Sequence, residues 1–339
     1  MKKEQLINLY DKSSVLEKWQ LISETVRQDL MEVCPPDSYE FLHFAKVQKT
    51  EAFKNKKYLK LIWHYWFRRI PLLAPVLGQR YLPEKNKEYY NYKTWYYEYL
   101  EPVIDIKDNL SSYEEIFGLL EDEKSKEIYC NILMARITGD QKYYLDAYDK
   151  SKEYQQYFAL DILPQANPDG VFVDCGGYIG DTAEKFIKYY SEKYKAIYVY
   201  EPDPRNASCA EENLKKYHDI CIRQCGVGKE NKTAYFNSMG TSSSSIQEKG
   251  IKVEVISLDN DIHENITFIK MDIEGEESNA ITGAKNHIEQ EKPICAVCVY
   301  HKIQDIWKLP LQMMGINSDY KLYFRHYTKN SMEIVAYFV

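Results

Sequence analysis

The chain has 339 residues, 45% of them apolar and 28% charged, and a formal net charge of -7. That length favours two domains over one, and the composition is that of a well-packed chain, which excludes a disordered or fibrous protein. The acidic balance argues against a nucleic-acid surface spread over the whole molecule.

The opening stretch MKKEQLINLYDKSS has no apolar core of the kind a secretory signal needs. No apolar run approaches the ~20 residues that cross a bilayer. A cytoplasmic protein without stable membrane insertion is expected. Further on, Val15, Trp19, Leu21, Ile22, Val26 and Leu30 recur near a 3.6-residue repeat, which predicts a helix. Residues 56–78, KKYLKLIWHYWFRRIPLLAPVLG, interleave basic, aromatic and aliphatic side chains. A packed helix stopped by Pro71 accounts for them better than a membrane-surface helix does. Ser112 followed by Glu115 matches a capping box and opens another helical region. Residues 1–164 are therefore expected to form a mainly helical domain, and the Pro- and Asn-containing stretch LPQANPDG (163–170) a linker.

From residue 165 to 339 the pattern changes to strand, turn and helix in repetition. VFVDC, AIYVYE, CIRQC, ITFIKMD and ICAVCVY read as unbroken apolar strands separated by helices, the signature of a parallel sheet covered on both faces. AYFN and VEVISLD flank a polar loop, and the closing hairpin YKLYFRHY-TKNS-MEIVAYFV makes the last strand antiparallel.

In such a sheet the ligand lies at the carboxyl ends of the strands, where the strand order reverses. The first strand ends at Asp174, and Gly176, Gly177 and Gly180 allow close backbone approach. The helix that follows offers free N–H groups, with Asp181 and Glu184 suited to its N-terminus. The glycine spacing is not that of a dinucleotide site, and an acid beside the loop is a poor neighbour for a pyrophosphate. A cofactor with an ammonium, a carboxylate and no phosphate fits better, which points to S-adenosylmethionine. Glu201 ends the second strand 25 residues after Gly176, near the offset expected of an acid that grips ribose hydroxyls.

In FIKMDIEGEE, Lys270, Asp272 and Glu274 alternate with apolar residues, so one strand face is expected to carry three ionisable groups. Two acids there could position a hydroxyl, act as a base or hold a divalent cation. His301, at the end of VYH, reaches the same rim and is suited to proton transfer near neutral pH.

These stretches, FVDCGGYIGDT, YVYEPDP, VISLD and above all FIKMDIEGEESNAITGA, resemble the FkbM family of S-adenosylmethionine-dependent methyltransferases over residues 165–339. The resemblance implies a class I, Rossmann-like methyltransferase fold: a seven-stranded, mostly parallel sheet with an antiparallel last strand, behind the helical N-terminal domain. It implies O-methylation of a hydroxyl on a sugar, glycan or related polar metabolite. Asp174, Gly176, Gly177, Gly180 and Glu201 would hold the cofactor, with Asp272 and Glu274 where cofactor and acceptor meet. Asp272 and His301 are the candidate bases, with a divalent metal an open addition and Arg325 and His326 weaker acceptor contacts. The Cys-Gly-Gly run departs from the family's more regular glycine alternation, and the helical half carries no motif to transfer. The expected partner is a small molecule or glycan, not nucleic acid, and a homo-oligomer is compatible.

Two other readings compete. A sugar-nucleotide oxidoreductase using NAD shares a similar sheet, but it lacks its glycine motif here, and Tyr190 and Lys193 miss the Tyr-x-x-x-Lys spacing. A glycan-binding protein with a decayed methyltransferase domain is the other, opposed by the intact Asp174, Glu201 and Asp272. Of the eight cysteines, Cys295 and Cys298 would face opposite ways on a strand, while Cys221 and Cys225 could face together. Buried thiols account for the set better than a four-thiolate zinc site. The 31 tyrosines fit compositional drift better than a sugar-binding surface.

Overall fold

A computed structural model describes residues 3–28, 101–163, 170–237, 245–247 and 251–339. The 56–78 segment, most of the 163–170 linker, most of the 238–250 loop and Cys34 lie outside the described residues. The chain divides into two units, residues 1–110 with 132–143, and residues 111–131 with 144–339.

The helical spacing of the first half forms α1 (Lys3–Tyr10), α2 (Val15–Gln28), α3 (Glu101–Asp108), α4 (Leu110–Leu119), α5 (Glu123–Thr138) and α6 (Lys142–Ala147). In the first unit Leu6, Ile22, Val103 and Ile106 are fully buried, and the Tyr10 and Tyr143 rings meet edge-on at 5.3 Å. The capping box occurs at Ser14, whose N–H and hydroxyl both donate to Glu17 Oε2 at 2.8 Å. The pattern at Ser112 falls inside α4 instead, because that helix has already begun at Leu110.

The second unit carries the sheet. In chain order its elements are β1 (Val171–Cys175), α7 (Asp181–Tyr189), β2 (Ala196–Tyr200), α8 (Pro204–Leu214) and β3 (Ile220–Arg223). Next come β4 (Gly226–Val227), β5 (Lys232–Asn237), β6 (Ser245–Gln247), β7 (Ile251–Ile256), α9 (Leu258–Asp261) and β8 (Phe268–Met271). The chain closes with α10 (Glu277–Gly283), α11 (Lys285–Gln290), β9 (Ile294–Cys298), α12 (Asp305–Ile316), β10 (Leu322–His326) and β11 (Ile334–Phe338).

Seven strands lie in the order β10-β11-β9-β8-β1-β2-β3, and β11 alone runs antiparallel to its neighbours, as expected. From β1 the chain builds outward through β2 and β3, then returns to β8 on the other side of β1. That reversal opens a crevice at the carboxyl ends of β1 and β8. The strands expected on either side of the polar loop pair with each other instead, as β5 and β7 of a separate four-stranded sheet, β4-β7-β5-β6.

All five residues of β1 are buried, as a central strand covered on both faces requires. Beneath it Phe172 stacks on Phe186 with centroids 4.2 Å apart, and Phe158 and Phe268 close around the pair. Phe158 reaches this core from the chain ahead of β1 and is fully buried. The seven described cysteines are free thiols, and among the described residues no group of them is arranged to hold a metal. No described helix is long and apolar enough to cross a membrane.

Candidate active site at the carboxyl edge of the sheet

After β1 the chain turns at Gly176, where φ is +82°. A Cβ there would stand 1.9 Å from the Asp272 carbonyl oxygen, so glycine alone lets these two strand ends approach. The N–H groups of Gly176 and Gly177 both donate to the Tyr200 carbonyl at 3.0 Å, tying the loop to the end of β2. Glu201 sits just beyond that end. Its Oε2 accepts the Tyr178 N–H at 2.9 Å and its Oε1 the Asp203 N–H at 2.8 Å. Burial pushes this carboxyl above its ordinary value, against the pull of the two backbone donors.

Asp174 and Lys270 are direct neighbours in the β1–β8 register. Lys270 Nζ stands 3.0 Å from Asp174 Oδ1, with both side chains almost wholly buried, and it donates to the Gly176 carbonyl at 2.7 Å. The Tyr157 ring covers it, with its centroid 5.2 Å away. Burial disfavours the ammonium, but Asp174 and Asp272 outweigh it and hold Lys270 above its ordinary value. The buried cation thus fixes the glycine loop from behind. The strand face of two acids and one base expected from the alternating sequence does not form. β8 ends at Met271, and positive φ values at Glu274 (57°) and Gly275 (94°) turn the chain away.

Asp272 accepts the Tyr157 hydroxyl on Oδ2 at 2.6 Å, while its Oδ1 accepts the Tyr300 hydroxyl at 3.3 Å. His301 Nε2 lies 3.3 Å from Asp272 Oδ1 and 3.7 Å from Glu274 Oε2, and Nδ1 lies 2.9 Å from Glu277 Oε1. Glu277 is fully buried, and the Ile273 N–H donates to the same oxygen at 2.9 Å. Burial alone would raise Asp272, but His301, Lys270 and Tyr157 hold it well below the usual carboxylate range. Burial likewise opposes charge on His301, yet Asp272 and Glu277 raise it to about 10. Glu274 goes the other way, to about 7, because burial dominates and neighbouring acids outweigh the pull of His301. Glu333, pushed up by burial and by Asp272, accepts the Tyr300 hydroxyl at 3.3 Å and the Gln156 side-chain amide.

All this opens on one cavity of about 270 Å³. Gly176, Asp181, Glu201, Asp272, Glu274 and His301 line it together. Asp174, Gly177 and Gly180 do not: the glycines pack against Val199 and Leu214, and Asp174 faces Lys270. Arg325 and His326 are likewise outside its lining, both buried on β10 of the closing hairpin.

The comparisons with known proteins bear on this geometry. The family model described as methyltransferase FkbM domain matches residues 174–321, the stretch that supplies the glycine loop, Glu201, Asp272 and His301. Residues 174–321 form an FkbM methyltransferase domain. The chain is also similar to the solved structure of methyltransferase FkbM from Methylobacillus flagellatus KT, with 26% identity and a TM-score of 0.62 over 70% of this chain. It covers 62% of that protein's length. An rRNA methylase from Streptococcus thermophilus matches at 10% identity over 60% of this chain and 94% of that one, with a TM-score of 0.35. Fibrillarin from Aeropyrum pernix, solved with natively bound S-adenosyl-L-methionine, matches at 10% identity over 52% of this chain and 69% of that one, also with a TM-score of 0.35. No curated protein matches.

Some residues at or behind the cavity are invisible to motif reading, in the FkbM domain and just ahead of it. Tyr157 lies before the matched stretch, and its one local signal is being one tyrosine among many. Glu277 reads as an ordinary first-turn helix residue. Tyr300 is overshadowed by the adjacent His301, although the two side chains stand on the same acid.

Proposed function

We propose that the chain transfers a methyl group from S-adenosylmethionine to a hydroxyl of a sugar, glycan or related polar metabolite. The observation that carries this reading is that the glycine loop and Glu201 open on the same cavity as Asp272 and His301. The residues present fit the cofactor. Gly176 leaves bare backbone where any side chain would collide, and each Glu201 oxygen has capacity for a further donor such as a ribose hydroxyl. Gly176, Asp181 and Glu201 would make the direct contacts, while Asp174, Gly177 and Gly180 act from behind by holding the loop.

When bound, the cofactor supplies a methyl already activated by its sulfonium. The protein's task is then to align the acceptor oxygen and to take its proton. In this reading Asp272 takes the proton, and the hydroxyls of Tyr157 and Tyr300, which donate to its carboxylate, support that role. Glu274 and His301 hold the acceptor hydroxyl beside it. Tyr157, Tyr178 and Tyr300 line the cavity where a sugar would lie, and the surplus of acids on the wall favours a neutral acceptor over an anionic one.

Thermal unfolding with S-adenosylmethionine, S-adenosylhomocysteine and NAD tests the cofactor. Both adenosyl-sulfur compounds should raise the midpoint, and Glu201→Ala should abolish the rise. A shift with NAD alone would overturn the reading.

A further inference from the structure

Tyr157 touches both halves of the cavity at once. It belongs to the same unit as the sheet but lies ahead of residues 174–321, the stretch that matches the family. We propose that Tyr157 is a positioning residue that couples the cofactor loop to the acceptor side. Its ring seats the buried lysine that braces the loop, and its hydroxyl aims the Asp272 carboxylate. The proposal rests on the methyl-transfer reading above.

The backbone is the first sign. Tyr157 has a φ of +70°, a conformation that a bulky L residue rarely adopts and keeps only where its surroundings demand it. The Phe158 N–H donates to the Gln155 carbonyl at 2.7 Å, so the chain turns tightly at this point. That turn puts Phe158 in the core beside Phe172 and Phe268, and puts Tyr157 in the cavity lining.

The ring acts on the cofactor side. Lys270 Nζ spends its three donors on Asp174 Oδ1 at 3.0 Å, the Gly176 carbonyl at 2.7 Å and the Cys175 carbonyl at 3.3 Å. Lys270 also lines the cavity, and the Tyr157 ring covers it with its centroid 5.2 Å from Nζ. A cation kept from water gains more from an aromatic face than an exposed one does. Without the ring, water in the cavity would compete for the ammonium with the Gly176 carbonyl, and the loop would lose its brace.

The hydroxyl acts on the acceptor side. It accepts from Gln156 Nε2 at 3.0 Å, and its single hydrogen goes to Asp272 Oδ2 at 2.6 Å. The other carboxylate oxygen, Oδ1, faces the Tyr300 hydroxyl and His301 Nε2, both at 3.3 Å. Asp272 is itself tied to the loop, because its N–H donates to the Cys175 carbonyl at 3.1 Å. A shift of the glycine loop therefore reaches the carboxylate by two routes, along the backbone and through Lys270 and the tyrosine.

Isothermal titration calorimetry of the full chain with S-adenosylhomocysteine reads the cofactor side. Tyr157→Phe keeps the ring and should bind within about twofold of wild type. Tyr157→Leu should bind about tenfold more weakly, the size of a lost, desolvated cation–π contact. Equal affinity in the two variants would overturn the role of the ring. The hydroxyl is read by nuclear magnetic resonance of protein isotope-labelled at the tyrosine ζ carbon, where slow hydroxyl exchange splits the signal in mixed light and heavy water. The Tyr157 signal, assigned by its loss in Tyr157→Phe, should be split in wild type and collapse in Asp272→Asn. S-adenosylhomocysteine should slow the exchange further, which a merely structural hydroxyl would not show. Exchange unchanged by the ligand would overturn the coupling, and this arm reports even if Tyr157→Leu does not fold. A wild-type chain that binds no S-adenosylhomocysteine would instead remove the methyl-transfer reading and the proposal with it, so the two failures are told apart.

Discussion

Two buried cations in this protein, Arg325 and His301, each sit among carboxylates, and they are treated differently. Arg325 donates to Asp122 at 2.7 Å, Asp161 at 2.9 Å, Ser125 Oγ at 2.9 Å and the Phe324 carbonyl at 2.7 Å. Each bond is directional, and two acids balance one guanidinium with lysines nearby. Burial alone would raise Asp161, but Arg325 brings it down to about 2, and Asp122 is also lowered. Around His301 the contacts are less well aligned, acids outnumber cations, and their pKa values part: Asp272 goes down while Glu274 rises to about 7. The first cluster is closed and self-sufficient; the second is open to a cavity and short of positive charge. Divergent pKa values in neighbouring acids mark a place where charge is kept for something else.

That contrast can be broken by mutation. The largest effect belongs to Asp272→Asn, which should reduce methyl transfer by about 10³-fold, within the range of lost general-base catalysis, while the cofactor still raises the melting midpoint. Retained turnover would remove Asp272 from the chemistry. Arg325→Met should instead lower stability by about 3 kcal/mol in denaturant unfolding, since it strands two partly buried carboxylates. Cofactor binding by the folded fraction should be unchanged. If the two variants gave the same pattern, the distinction between the clusters would be lost.

A smaller effect sharpens the comparison through a second histidine. His326 is as buried as Arg325, but among the described residues its ring meets no carboxylate: Nε2 contacts the Asn330 carbonyl at 2.7 Å, and burial, opposed by backbone bonds to Asn330 and Met332, lowers it to about 4. The unfolded chain, with an ordinary value of about 6.5, binds the proton more readily across the interval between them. Stability from this site is therefore full above about pH 6.5 and falls as pH drops toward 4. His326→Gln should flatten that part of the stability–pH curve. An unchanged slope would assign the acid sensitivity elsewhere.

The sheet was legible because its strands are unbroken apolar runs and the hairpin at the end is short. The glycine turn was legible for a similar reason: Gly176, Gly177 and Gly180, coming directly after a buried strand, commit the chain to a tight reversal. What could not be read was anything set by register or by chain from outside the motifs. Asp174 looks like a ligand-facing acid until β8 is placed beside it, and then Lys270 claims it. Alternation in FIKMDIEGEE promised a charged strand face, but the strand stops at Met271 and two left-handed residues, Glu274 and Gly275, then turn the chain away. Tyr157, itself at φ +70°, has no sequence signal that joins it to an acid 115 residues later.

The segment ahead of β1 has one more consequence. Ser125 accepts the Phe324 N–H at 2.9 Å, Leu120 bridges to Leu322, and Asp161, Phe158 and Tyr157 reach Arg325, the core and Asp272. A module cut at the start of the first strand would leave a guanidinium without acids, a hole among three phenylalanines and a cavity wall without its tyrosine. For anyone grafting this domain onto another scaffold, the stretch that matches the family and the stretch that folds are different lengths of chain.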